Sequence, residues 1–318
     1  MKPYVLGIDI GGTNTVFGIV DTRGAVIASN SIKTAKHSKF EDYIDELYTE
    51  AMRLIKANDV EDKIHGIGVG APNANYYTGM IDDGVNLPWP TPIPLAAIIS
   101  EKFGIPCAVT NDANAAAIGE MTYGAARGLK DFIMITLGTG VGSGIVINGQ
   151  VVYGHDGFAG ELGHVIVKRR NGRLCGCGRT GCLETYCSAT GVARTAREFL
   201  EIRTEPSLLR KLDIEAITSK DVYDAAMNGD QIAKEIFDYT GTILGEAMAD
   251  MTVFSSPEAF ILFGGLAKSG DLLLKPLVNA MDKNMLSIFK GKPKVLLSEL
   301  KEADAAVLGA SALGWEAK

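Results

Sequence analysis

The sequence predicts an α/β protein of two domains, and three observations carry that expectation. The chain has 318 residues, more than one hydrophobic core usually serves, because single cores stop growing at about 250–300 residues. Apolar residues make up 47% and charged residues 22%, with 37 glycines, which fits a glycine-rich globular chain and argues against a disordered or fibrous one. A pattern of strand, glycine turn and strand occurs twice, over 4–20 and 132–147, and reads as an internal repeat with one copy opening each domain.

The elements follow in order. Residues 4–10 and 14–20 alternate β-forming side chains around Gly11-Gly12, and after Gly24 a third strand runs to about Lys33, so the chain opens with an antiparallel meander. Phe40, Ile44, Leu47 and Leu54 recur near helical spacing over 40–56, and 64–70 reads as a buried strand. Proline-rich turns fill 86–94. A helix to about Phe103, a strand at 105–110 and a helix opened by Asn111-Asp112 and running through Glu120 come next. In the second half, 132–137 is a strand, 138–144 a glycine-rich turn and 145–147 the start of another strand, with further strand and turn to Gly154. A loop-rich insertion spans 155–184, and the chain is then largely helical to about Val253. A strand at 259–263, a turn at Gly264-Gly265, a helix, a last strand at 294–297 and a terminal helix at 303–316 complete it. Terminal helices often dock back onto the first domain. The division expected is therefore a smaller domain of 1–120 plus 303–318 and a larger one of 121–302.

A formal charge of -7 offers no basic field for a polyanion, so nucleic acid is not an expected partner. No run approaches the ~20 apolar residues of a membrane span, and Met1 leads straight into the alternating run without a charged-then-apolar leader. The expectation is a cytoplasmic chain with reduced thiols. Three of the five cysteines, Cys175, Cys177 and Cys182, crowd into eight residues and need a reason other than disulfides.

Asp9-Ile10-Gly11-Gly12-Thr13 ends the first strand where glycines let phosphate oxygens approach backbone N–H groups, and Asp9 suits a Mg²⁺ held through water. Alone, a hairpin turn beside an aspartate accounts for it equally well. A second loop, Gly138-Thr139-Gly140-Val141-Gly142, stands at the matching place in the repeat, and two facing loops would clamp a triphosphate such as that of ATP. A dinucleotide fingerprint is excluded, since a strand rather than a helix follows and Ser143 stands at the third glycine position. No glycine turn closes on Gly-Lys-Ser/Thr. Gly264-Gly265, between strand and helix, suits a nucleoside contact, although packing alone explains many such pairs.

Phosphoryl transfer to an alcohol needs a carboxylate to take the hydroxyl proton. Asp112 is the candidate, at a helix start where the dipole favours its ionised form; simple N-capping by Asn111 or Asp112 is the alternative. Glu161 and His164, three apart in Gly160-Glu161-Leu162-Gly163-His164, would share the face of a helical turn and could grip sugar hydroxyls. Asn86 beside Leu87-Pro88-Trp89, and Glu184 just after the cysteines, could complete the ring, though each alone reads as an ordinary surface residue. His164, Cys175, Cys177 and Cys182 have the spacing H-x10-C-x-C-x4-C, three thiolates and an imidazole, the set for a closed structural Zn²⁺ site. A redox pair or chance clustering is the competing explanation, and Cys187 a substitute ligand. Cys107 is expected in the core. An imidazole bound through one nitrogen keeps the other for a second partner.

These segments resemble the ROK sugar kinases, within the actin-like, Hsp70-like ATPase superfamily. The resemblance rests on DIGGT at Asp9, NDANAAAIGE from Asn111, GTGVGSGIV from Gly138, GELGH from Gly160 and CGCGRTGCLE from Cys175, and it covers nearly the whole chain. It implies two ribonuclease-H-like domains of a duplicated actin-like ATPase fold with a zinc-binding loop, closing on sugar and MgATP. It further implies γ-phosphate transfer to a hexose hydroxyl, usually O6, with Asp112 as base. By resemblance, Asn86, Asn111, Glu161, His164 and Glu184 bind the sugar. Gly11, Gly12, Thr13, Gly138, Thr139 and Gly140 line the phosphates, and Gly264 and Gly265 lie near the nucleoside. Relatives are commonly homodimers or homotetramers. Many carry proline then glycine in the sugar-side loop, whereas this chain runs Ala71-Pro72-Asn73-Ala74-Asn75-Tyr76-Tyr77, which bears on the fit around the sugar's 2-substituent.

The expected activity is a hexose kinase acting on glucose, with N-acetylglucosamine, N-acetylmannosamine, fructose or allose as other acceptors. Sugar-responsive repressors of the same family carry a winged-helix domain ahead of DIGGT, and only eight residues precede Asp9 here. An actin- or chaperone-like ATPase would use the phosphate loops but leave GELGH and the cysteines without purpose.

Overall fold

The computed structural model describes residues 2–83, 87–300 and 302–317, and among them the strands form two five-stranded sheets on one plan. In the first, β1 (Tyr4–Ile10), β2 (Asn14–Asp21) and β3 (Val26–Lys33) are antiparallel neighbours. Helix α1 (Phe40–Ala57) leads to β4 (Ile64–Gly70), which pairs parallel with β1. Helix α2 (Leu95–Phe103) leads to β5 (Cys107–Thr110), parallel with β4, and α3 (Asp112–Tyr123) follows. The order is β3-β2-β1-β4-β5.

The second sheet opens with β6 (Phe132–Leu137), β7 (Val141–Ile147) and β8 (Gln150–Val151). The chain then passes through α4 (Glu184–Cys187), α5 (Ala189–Ile202), α6 (Ser219–Met227) and α7 (Gln231–Ser255) before β9 (Ala259–Phe263), which pairs parallel with β6. Helix α8 (Asp271–Asn284), strand β10 (Lys294–Leu297), parallel with β9, and helix α9 (Glu302–Gly314) end it. The order is β10-β9-β6-β7-β8. Strand for strand, β6, β7, β8, β9 and β10 occupy the places of β1, β2, β3, β4 and β5, so the expected repeat extends over a whole sheet in each half.

Contacts group the chain into two units, Met1–Lys130 with Gly144–Gly160 and Ser298–Lys318, and Asp131–Ser143 with Glu161–Leu297. The boundary expected after residue 120 would cut α3, a continuous hydrogen-bonded helix to Tyr123. With 144–160 included, the first unit holds slightly more of the chain than the second, the reverse of the expected sizes. The glycine-rich turn is also shorter than expected. Strand β7 begins at Val141 rather than 145, because Gly142 and Gly144 serve the strand: Gly142 donates its N–H to Thr136 Oγ1 at 3.1 Å, and a Cβ on Gly144 would stand 2.8 Å from Ala117 Cβ on α3.

In the first unit, strand alternation decides which residues meet which layer. Leu6, Ile8, Ile10, Ile67 and Val69 join the buried cluster that includes Leu47, Ile55 and Ile99 of α1 and α2. On the opposite face, β1 presents Gly7 and Asp9, and β4 presents Gly66, Gly68 and Gly70. Helix α9 lies on that face, against β1, β4 and α3. The fit is at backbone distance: a Cβ on Gly68 would stand 1.9 Å from the Ala310 carbonyl oxygen, and one on Gly7 2.3 Å from that of Val307. Helix α9 supplies small partners, with Ala305, Ala310, Ser311 and Ala312 buried. In the second unit, α7 packs along α8 and against α5 and α6, with Ile236, Phe237, Leu244 and Met248 buried. No helix among the described residues is long and apolar enough to cross a membrane.

Candidate functional site

The glycine face of the first sheet ends in carboxylates. Asp9 pairs in register with Gly70 on β4, and Gly70 with Thr110 on β5, so one row reaches from the end of β1 to the start of α3. A Cβ on Gly70 would lie 3.3 Å from Ala115 Cβ, 3.4 Å from Asp9 Oδ1 and 3.8 Å from Asp112 Cα, so the two acids flank the same strand end. Burial first, and the neighbouring Asp112 charge second, push the Asp9 carboxyl up to about 7. Asp112 keeps solvent-accessible surface, yet the protein around it strips hydration and raises its carboxyl too, against the pull of the Ala113 N–H at 2.8 Å. The helix dipole favours its anion, and desolvation outweighs it.

Asn111 is the N-cap of α3, its Oδ1 accepting from Asn114 N–H at 2.7 Å, and Asp112 is the first helical residue. The capping alternative therefore applies to Asn111 and leaves Asp112 for another task. The turn of Gly11, Gly12 and Thr13 closes with Gly11 N–H on the Asn14 carbonyl at 3.0 Å. In the loop after β4, Asn73 takes φ 51°, the left-handed conformation that glycine adopts freely and asparagine tolerates, and its Nδ2 donates to the Asp83 carbonyl at 2.8 Å. Buried Asn75 donates to the Asp156 carbonyl at 2.7 Å and accepts from Tyr77 N–H at 3.0 Å. Asn86 lies outside the described residues.

In the second unit, Gly138, Thr139 and Gly140 form the turn between β6 and β7. The Gly138 carbonyl accepts from Ala189 N–H and that of Thr139 from Thr190 Oγ1, both at 2.8 Å, so the start of α5 braces the turn. Glu184 Oε2 accepts from Val141 N–H at 3.0 Å. His164 ends a 3-10 turn over Leu162–His164 whose N-cap is Glu161, and the His164 N–H donates to the Glu161 carbonyl at 3.0 Å. Ser143 Oγ accepts from Leu162 N–H at 3.1 Å and ties this turn to β7. Gly264, at φ 105°, packs its Cα against the Leu137 carbonyl, where a Cβ would stand at 2.5 Å.

The ligand atoms of His164, Cys175, Cys177 and Cys182 all lie within 4.8 Å of one another. Cys175 Sγ is 3.7 Å from His164 Nδ1, and Cys177 Sγ 3.7 Å from Cys182 Sγ. Two ligands ~2.3 Å from one ion at the tetrahedral angle are about 3.7 Å apart, so both the donor set and its spacing fit one zinc ion. Burial pushes the Cys175 thiol up to about 12. Burial also acts on Cys177, but the Arg179 backbone N–H and hydrogen bonds from the neighbouring thiols outweigh it and hold that thiol below its ordinary range. Cys187 is not in the group; it is buried, and its S–H donates to the Thr240 carbonyl at 3.5 Å. Cys107 is half-buried on β5 rather than fully in the core.

The family model for the ROK family matches residues 5–317. The chain belongs to the ROK family. This ROK chain is 37% identical over 324 residues to the glucokinase of Halalkalibacterium halodurans, covering 99% of this chain and 95% of that one. It is 34% identical over 315 residues to the glucokinase of Thermotoga maritima, covering 98% and 97%. The crystal structure of a ROK family glucokinase from Streptomyces griseus in complex with glucose and AMPPNP matches with a TM-score of 0.80 at 30% identity, over 98% of this chain and 99% of that one. The mixed α/β fold with two sheets is thus that of ROK kinases.

One feature of the ROK chain escaped the sequence. Gly265 lines a cavity of about 370 Å³ together with Ser219, Lys220 and Tyr223 of α6 and Leu266, Lys268 and Ser269. Only the glycine carried a local signal, since Ser219 to Tyr223 read as the start of any amphipathic helix.

Proposed function

We propose that this chain is an ATP-dependent hexose kinase that transfers the γ-phosphate of MgATP to a hydroxyl of a free hexose, with O6 of glucose as the acceptor. The observation that carries the reading is the pair of acids at Gly70: Asp9 and Asp112 flank one strand end, a metal-facing carboxylate beside a proton acceptor. The relatives, glucokinases matched over nearly the full chain, support it independently.

Asp112 takes the proton of the acceptor hydroxyl as its oxygen bonds to the γ-phosphorus; the bond from that phosphorus to the bridging oxygen breaks, and ADP leaves. Asp9 holds Mg²⁺ through water. Gly11, Gly12 and Thr13, with Gly138, Thr139 and Gly140, present backbone N–H groups to the phosphates. The cavity lined by Gly265, Tyr223, Lys220 and Lys268 takes the nucleoside. Glu161, His164, Glu184, Asn111 through its Nδ2, and Asn86 bind sugar hydroxyls. His164 Nδ1, Cys175, Cys177 and Cys182 hold a structural Zn²⁺, a closed four-ligand site that fixes the loop and leaves the His164 Nε2 for the sugar. The protein works in the cytoplasm as a homodimer or homotetramer.

A panel of free hexoses and N-acetylhexosamines assayed with MgATP tests the activity. Glucose is expected to release ADP well above the water background, and the absence of any productive sugar would sink the kinase reading. Preferred turnover of N-acetylglucosamine, N-acetylmannosamine, fructose or allose would keep the reaction and move the acceptor. Elemental analysis is expected to find about one zinc per chain, and a fully active metal-free preparation would remove the zinc assignment. Light scattering on the purified protein gives the oligomer.

A further inference from the structure

Arg173 is buried at 6% exposure in the second unit, two residues before the first metal-site cysteine, and no step described above uses it. Burying a guanidinium is costly unless every donor is met. Here all five N–H groups are. Nε donates to Glu198 at 3.1 Å, Nη1 to the carbonyls of Thr185 at 2.7 Å and Gly191 at 3.3 Å, and Nη2 to Thr195 Oγ1 at 2.8 Å and to Glu198 Oε2. The guanidinium stacks 4.5 Å from the centre of the Tyr186 ring, and the Arg173 backbone N–H donates to the Tyr186 hydroxyl at 2.9 Å.

What these contacts join is specific. The Arg173 carbonyl accepts from Gly181 N–H at 2.8 Å, which closes the base of the hairpin carrying Cys175 and Cys177, with Cys182 the next residue beyond it. Gly181 has no room for a side chain, since a Cβ would stand 1.9 Å from the Lys168 carbonyl oxygen, so the base is fixed at backbone distance. The Thr185 carbonyl belongs to α4, the helix that begins with Glu184; Gly191, Thr195 and Glu198 belong to α5. Arg194 of α5 adds a second tie, its Nη1 donating to the Leu174 carbonyl at 3.3 Å. One side chain therefore fastens the cysteine hairpin to the helix that bears Glu184.

We infer that Arg173 is a positioning residue that preorganises the metal hairpin and, through α4, the carboxylate of Glu184 for the sugar. The inference rests on the zinc and sugar roles proposed above. A purely structural role would lower stability and leave metal and substrate binding unchanged in the folded protein. A positioning role moves both, because ligand groups held by outer contacts lose affinity when those contacts go, typically by 10–100-fold.

The test compares wild type with Arg173→Met, close in volume but without the fork, and Arg173→Lys, which keeps the charge and loses the planar donor set. Zinc affinity is read at 25 °C by competition with a chromogenic chelator, beside steady-state kinetics in sugar and ATP. Arg173→Met is expected to bind zinc about 10–100-fold more weakly and to raise the sugar KM about 10-fold with kcat changed much less, with Arg173→Lys intermediate. A folded Arg173→Met with wild-type zinc affinity and sugar KM overturns the inference. Should that variant not fold, Thr195→Val removes one acceptor and keeps the charge; it is expected to shift zinc affinity the same way, and a wild-type value overturns the inference equally. A wild-type protein that holds no zinc instead removes the metal reading on which the inference stands.

Discussion

Glu184 and Gly140 meet without space between them: a Cβ on Gly140 would stand 2.2 Å from Glu184 Oε2. The same carboxylate oxygen accepts the N–H of Val141 at 3.0 Å, and its other oxygen faces the thiol of Cys175 at 3.6 Å. Glu184 thus touches both the turn of Gly138 to Gly140 and the hairpin that carries the cysteines. Gly140→Ala must displace either the turn or the carboxylate. The expected outcome is a loss of kcat/KM on the order of 10²-fold, since small misplacements at a reacting centre cost about that much, with KM rising for sugar and ATP alike. Kinetics varied in each substrate check it; a rise in one KM alone would contradict the shared contact.

Asp112→Asn is expected to lower kcat by about 10²–10⁴-fold, the usual worth of a general base, while sugar binding measured by calorimetry changes little. Desolvation raises the Asp112 carboxyl, and the base works only when deprotonated. The acid limb of the wild-type pH profile for kcat is therefore expected above the ordinary carboxylate range. An acid limb at or below that range would separate Asp112 from the proton transfer.

Asp9 carries a stability cost with a definite sign. Its carboxyl moves from 3.8 to about 7 on folding, so the folded state holds the proton more tightly than the unfolded chain. The cost is absent below about pH 4, grows between 4 and 7, and is complete above 7. In buffer free of divalent cations, Asp9→Asn is expected to stabilise by up to about 4 kcal/mol at pH 8 and by almost nothing at pH 4. Denaturant melts of both proteins at the two pH values check it. An equal gain at both pH values would place its origin elsewhere. The same variant is expected to lose its Mg²⁺-dependent turnover.

Gly68→Ala would set a methyl 1.9 Å from the Ala310 carbonyl oxygen. Backbone cannot yield as a side chain tip can, so α9 must lift from the sheet. The expected cost is about 3 kcal/mol, at the upper end of overpacking, seen as a lower denaturation midpoint with near-normal zinc content, because the metal cluster lies in the other unit. A variant as stable as wild type would show that α9 adjusts freely.

Much of this protein could be read locally. The meander, the glycine turns and the cysteine group all depend on residues within a few positions of each other, where periodicity and spacing act directly. Arg173 gave no such signal, because its five acceptors sit 12 to 25 positions away. Likewise Ser219, Lys220 and Tyr223 share a cavity with Gly265 only after α7 has folded between them. The four glycines of β7 and its turn looked alike in sequence, and packing assigned Gly140 to a carboxylate and Gly144 to a helix.

The sequence by itself determined the repeat, the residue types of the candidate chemistry and the metal donor set, since these are fixed by short-range order along the chain. Tertiary structure decided which face of β1 and β4 would receive α9, that Asp9 and Asp112 would flank Gly70, and that Glu184 would bridge turn and hairpin. Those are contacts between elements up to hundreds of residues apart. They depend on strand register and on where a missing Cβ lets two backbones approach, and neither is written in the local pattern.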